Sequence, residues 1–124
     1  MGALVAVLDK KGKAATEKAA SMLEALRHRF DHSYGVATEN SAFIAKDYGK
    51  LVGEIPEASA AIGYGLCKIK PKDEFQPLLE ETFAFALEGR FFPHRTPSDL
   101  EFAVNILKHS VANKAEELVG NIDG

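Results

Sequence analysis

Ala3-Leu4-Val5-Ala6-Val7-Leu8 is an unbroken apolar run, and Asp9-Lys10-Lys11-Gly12 ends it abruptly. Six apolar residues bounded by charge and glycine are too few for a helix that must bury a face, so the run reads as a buried strand followed by a turn. The period then changes. Over residues 14 to 28, Ala15, Ala19, Met22, Leu23 and Leu26 recur at helical spacing, with lysines and glutamates between them facing water. A strand that hands directly to an amphipathic helix sets the theme for the rest.

Further on, residues 34–38 and 42–45 read as two strands joined by a polar turn at Glu39-Asn40. A looser stretch to Glu57 carries Gly49, Gly53 and Pro56. Residues 60–69 form another strand candidate, weakened by Gly63 and Gly65. Residues 82–87 and 90–92 are strand-rich and flank Glu88-Gly89, which reads as a turn or bulge. Thr96-Pro97-Ser98-Asp99 supplies an N-cap, a proline at the first helical position and an acid at the third. Leu100, Ala103, Val104 and Leu107 then make an apolar stripe to about His109, and a second helix is expected from about Val111 to Gly120. Strands and helices without regular β-α alternation predict a mixed α+β layered fold, one domain over residues 1–124.

Composition narrows the function classes. The apolar share is 46% and the charged share 27%, ordinary for a globular chain and unlike a disordered one. Net charge is −3 without a long basic run, which argues against a nucleic-acid partner. No apolar run reaches the ~20 residues that span a bilayer, and Ala6 spoils an N-myristoylation motif after Met1-Gly2, so a cytoplasmic protein with no membrane partner is expected. The single cysteine, Cys67, excludes an internal disulfide and a multi-cysteine zinc site. His28 and His32 have i,i+4 spacing but run past the expected helix end, and no metal site is expected.

Seven short segments, in order, resemble the glutamine-hydrolysing domain of asparagine synthetases, a class II amidotransferase. That branch opens M-C-G-I-x-A-V, and this chain opens M-G-A-L-V-A-V. The family's H-R-G-P-D-x-x-G is similar to the segment that keeps His28, Arg29 and Gly35 in register. Its G-H-x-R-L-S-I resembles Gly63-Tyr64-Gly65-Leu66-Cys67-Lys68-Ile69, and its Q-P-L/M resembles Gln76-Pro77-Leu78. Its A-x-N-G-E-I-Y resembles Ala86-Leu87-Glu88-Gly89-Arg90-Phe91-Phe92, and S-D-x-E resembles Ser98-Asp99-Leu100-Glu101. The ending Leu118-Val119-Gly120-Asn121-Ile122-Asp123-Gly124 is similar to L-x-G-x-F-A-F.

The resemblance implies an N-terminal nucleophile hydrolase-like αββα sandwich, two stacked sheets with Gly2 starting a central strand, incomplete on its C-terminal side. It also implies a dismantled site. The family's N-terminal cysteine attacks the glutamine amide with its own α-amine as base, and Gly2 stands there instead. Glu88 occupies the position of the asparagine that, with the following glycine's N–H, here Gly89, holds the oxyanion; an ionised carboxylate only accepts hydrogen bonds. Leu66 replaces the arginine that binds the substrate α-carboxylate. Asp99, which would grip the α-ammonium, is retained.

These departures make the first expectation a non-catalytic module without cofactor, scaffolding or regulating a synthetase domain in cis or a partner chain, with homodimerisation possible. The second is a binding module for a small amino compound through Asp99 and Gly89. The third is an active amidohydrolase using the Gly2 amine or Cys67. Against these stand plainer readings. Cys67 inside an apolar strand acts as a small buried hydrophobe. Asp99 stabilises the positive end of its helix, and Glu88 pairs with Arg90 across one strand face. His28 and Arg29 anchor the first helix end, and Phe83, Phe85, Phe91 and Phe92 are core.

Overall fold

A computed structural model describes residues 2–69, 73–91, 99–108 and 122–123. It is a mixed α+β structure built around a four-stranded antiparallel sheet: β1 (Ala3–Leu8), β2 (Ser33–Ala37), β3 (Ala42–Ala45) and β4 (Ala60–Leu66), in the order β1-β4-β2-β3. Helix α1 (Ala15–Ala25) lies across β1, β4 and β2, and α2 (Tyr48–Glu54) against β3 and β2. Beyond β4 come a short hairpin, β5 (Leu78–Leu79) with β6 (Ala84–Phe85), then β7 (Arg90–Phe91), helix α3 (Asp99–Leu107) and β8 (Ile122–Asp123), which pairs antiparallel with β7.

Alternation along the strands divides the sheet into two faces. Ala3, Val5, Tyr34, Val36, Ala45 and Ala61 point toward the helices and form one core with Ala15, Ala19, Ala20, Leu23, Phe30 and Leu51. Gly63 and Gly65, which weaken the strand signal, lie on this same face. A Cβ at Gly63 would stand 2.8 Å from Val5 Cγ2 and 3.0 Å from Leu23 Cδ1, and one at Gly65 would overlap the Phe30 ring. They are the space into which the helix layer packs.

On the opposite face Tyr64, Leu66 and Ser33 are buried, whereas Leu4 and Leu8 are 47% and 66% exposed. The opening strand is therefore half-buried rather than buried, because only one of its faces meets helices. Among the described residues β1 is also the sheet edge and pairs with β4 alone. The central position expected for the strand after Gly2 is not observed, since no described strand lies against its outer edge.

Several local expectations shift for identifiable reasons. Helix α1 stops at Ala25 and tightens into a 3-10 turn, Arg27–Arg29, where the Leu26 N–H is shared between the Met22 and Leu23 carbonyls. Met22 is 44% exposed, and Ala20 takes the inward place expected of it. The loose stretch contains α2. Asp47 caps it by accepting the Lys50 N–H at 2.8 Å, and fully buried Leu51 ties it to the core. Strand β4 ends at Leu66, and only Ala84–Phe85 of residues 82–87 enters a ladder. The apolar stripe Leu100, Ala103, Val104 and Leu107 is buried as expected, joining Leu87 in a second core with Leu78, Phe83, Phe85, Phe102 and Ile106 against it. The expected helix over 111–120, the Thr96-Pro97-Ser98 cap and the Phe91 and Phe92 side chains fall outside the described residues.

The end of α1 is anchored by Arg27 rather than by His28 and Arg29, which are exposed. The Arg27 guanidinium donates to the Phe30 carbonyl and lies 5.4 Å from the Phe30 ring centre and 5.7 Å from that of Tyr34. Tyr34 donates its hydroxyl to Glu24 Oε2 at 2.5 Å. Burial first, then the bond to Glu24 and its charge, push the Tyr34 hydroxyl up from 10.0 to about 12. A raised folded value means that the unfolded chain releases this proton first. Stability is therefore unaffected by this group below about pH 10 and falls as pH rises toward about 12. Denaturant midpoints measured across that window should drop more steeply for the native sequence than for Tyr34→Phe.

Candidate functional site

The buried part of the second sheet face is organised by Gln76. Its side-chain amide bonds the Leu87 backbone in both directions: Oε1 accepts the Leu87 N–H at 2.7 Å and Nε2 donates to the Leu87 carbonyl at 3.3 Å. The carboxamide is 7% exposed, so both bonds are shielded from water. Gln76-Pro77 also packs on Gly35, where a Cβ would fall inside the Gln76 carbonyl oxygen and 2.8 Å from Pro77 Cδ. Gly35 is thus required by the close approach of two backbones.

Fixing Leu87 fixes Glu88. One carboxylate oxygen, Oε1, accepts the Gly2 N–H at 3.0 Å, and the other, Oε2, accepts the Tyr64 hydroxyl at 2.6 Å. Glu88 thereby ties the residue before β1 to the middle of β4. Both Glu88 oxygens take hydrogen bonds across the sheet; the Arg90 side chain, and with it the expected Glu88–Arg90 pairing, lies outside the described residues. At Gly2 there is no room for a side chain. A Cβ would overlap the Gly65 carbonyl oxygen and stand 2.9 Å from Tyr64 Oη.

Leu66 shares the Tyr64 face of β4 and is 2% exposed, so its place is filled by hydrocarbon packing. The Ser33 hydroxyl, opposite Leu66 in the register, is buried without a hydrogen-bond partner among the described residues. Gly89 follows Glu88 half-buried, and Asp99, the first residue of α3, is buried and engaged. Of the residues singled out from sequence, Gly2 and Glu88 are brought into contact. Tyr64 and Gln76, which complete the group, were quoted only within motifs. No periodicity marks them as functional, since their roles depend on contacts 24 and 11 residues away.

Cys67 lies one residue past the end of β4 and is half-buried, not enclosed within the strand. Asp31 and His32 stand beside it, at the entry to β2. Elsewhere, an open cleft of about 460 Å³ between the start of α1 and the end of α2 has Lys13, Glu17 and Glu57 on its rim. No described helix is long and apolar enough to cross a membrane. The chain matches no family model, no curated protein and no solved structure.

Proposed function

We propose that this chain is a non-catalytic relative of the glutamine-hydrolysing domains of asparagine synthetases, an αββα layered module that scaffolds or regulates rather than turns over glutamine. The observation that carries the reading is the Gly2–Glu88–Tyr64 group: the nucleophile position has neither a thiol nor space for one, and the oxyanion position holds a carboxylate. An ionised carboxylate only accepts hydrogen bonds, so at this position it offers no donor to developing negative charge. The buried Leu66 offers nothing to a substrate carboxylate.

Support for the lineage comes from how separately matched segments meet in space. The opening segment touches the one containing Glu88, that segment is held by Gln76 of the Q-P-L segment, and Gln76-Pro77 packs on Gly35 of the segment after α1. The β1 edge, unpaired among the described residues, and the exposed Leu4 and Leu8 suit a module that works against a synthetase domain or a partner chain.

Incubating the purified chain with glutamine tests the reading directly. Glutamate and ammonia release should equal that of buffer, and turnover that persists in Cys67→Ala would defeat it. Calorimetry with glutamine, asparagine and aspartate separates the second reading: heat of binding lost in Asp99→Ala would favour an amino-compound sensor.

A further inference from the structure

Where β2 and β4 end, their register brings three unlike donors together. The last paired residues are Ser33 and Leu66, and the His32 N–H continues the ladder by donating to the Leu66 carbonyl at 2.9 Å. One step further along the same register sets His32 opposite Cys67, the separation at which cross-strand side chains meet. Asp31 precedes His32, and a carboxylate oxygen, a ring nitrogen and the Cys67 sulfur all lie within 4.8 Å of one another.

The polar contacts at His32 are mutually exclusive. Its Nδ1 is 2.6 Å from Asp31 Oδ1 and also accepts the Lys68 N–H at 3.0 Å. Protonated, Nδ1 serves Asp31 and opposes the Lys68 amide; unprotonated, it serves Lys68 and faces a carboxylate lone pair. A cation held by Asp31 and by the other ring nitrogen, Nε2, removes the conflict, because it neutralises the carboxylate and leaves Nδ1 to accept the Lys68 N–H.

We propose that Asp31, His32 and Cys67 form a binding site for a zinc-class divalent ion. The donor set is thiolate, imidazole and carboxylate, the mixture that such borderline ions accept. Bond lengths of about 2.0–2.3 Å to a tetrahedral centre put ligand atoms roughly 3.3–3.8 Å apart. The observed spread of up to 4.8 Å exceeds that, so binding requires the side chains to rotate inward. Asp31 and His32 are 70% and 41% exposed, so they can rotate, and the fourth position opens to water. Cys67 packs against the core and gives the site a fixed wall. Binding releases the thiol proton, with the sulfur lone pair forming the bond to the metal.

Cobalt(II) titration of the full chain provides the test, since a thiolate ligand gives an intense near-ultraviolet charge-transfer band beside the visible bands of tetrahedral cobalt. One equivalent should develop both, zinc should displace it, and Cys67→Ser should abolish the charge-transfer band. His32→Ala should weaken affinity by more than about tenfold, and His28→Ala should leave it unchanged. Circular dichroism of each variant confirms that the fold persists. Absence of saturable binding, or binding whose spectrum is the same in Cys67→Ser, would overturn the site. Both readouts are independent of glutamine turnover, so the result stands apart from the functional reading above.

Discussion

Gly35→Val is expected to lose the fold's cooperative transition, and Gly35→Ala to lower stability by at least ~3 kcal/mol. The new Cβ would occupy the position of the Gln76 carbonyl oxygen, and neither contact partner is a side chain that can swing aside. Relief requires moving the 76–77 backbone off the sheet. That breaks the Gln76–Leu87 bonds and releases Glu88 from Gly2 and Tyr64. Overpacking alone costs ~1–3 kcal/mol, and unsatisfied buried amides add ~1–3 kcal/mol each. Against a typical stability of ~5–15 kcal/mol this is a large fraction. Gly53→Ala is the control: nothing lies within 4 Å of its added Cβ on the exposed face of α2. It should be neutral or stabilising by up to ~1 kcal/mol. Thermal denaturation of the two alanine variants side by side measures the contrast, and equal melting temperatures would contradict the packing described.

Gly2→Cys is expected to leave glutamine hydrolysis undetectable, although it restores the residue type that the resemblance places there. Loss of a nucleophile costs ~10⁶ in rate, so a competent thiol would produce an unmistakable gain. Here the cysteine Cβ must push aside the Gly65 carbonyl and the Tyr64 hydroxyl before its sulfur finds any position. Glu88 would still face the developing oxyanion, forfeiting a further ~10²–10³. Adding Glu88→Asn and Leu66→Arg tests the remaining obstacles in turn. A coupled glutamate assay, with a melting curve for each variant, is the measurement. Turnover by Gly2→Cys alone would show that the strand start is more accommodating than its packing indicates.

The fold's local parts were legible where periodicity was strong. Strand β1, the first helix, the β2–β3 pair and the α3 stripe all follow from apolar spacing, because each element buries apolar side chains that recur at its own period. Helix α2 was hidden, since Gly49 and Gly53 lower helix propensity and its stability rests on the Asp47 cap and Leu51. Gly63 and Gly65 looked like defects in a strand, but they are concavities for Leu23 and Phe30. The site was legible at Gly2 and Glu88 through resemblance. Its assembly was not, because Gln76 and Tyr64 act through long-range bonds that leave no trace in spacing. Asp31, His32 and Cys67 were invisible as a group for the same reason: the strand register, not the sequence interval, brings them together.

Among the described residues nothing pairs with the outer edge of β1. From Ala3 to Leu8 that strand carries no charge, no proline and no bulge, and every second side chain projects into water. Such an edge is a template for intermolecular growth. What guards it is placed at its end, where Asp9 accepts the Ala14 and Lys11 N–H groups and those bonds hold its carboxyl below the usual carboxylate range. The Asp9 carboxylate lies 3.7 Å from the Lys18 ammonium and is followed by Lys10, Lys11 and Lys13, so that end of the strand carries net positive charge, and repulsion between like copies works against fibrillar stacking.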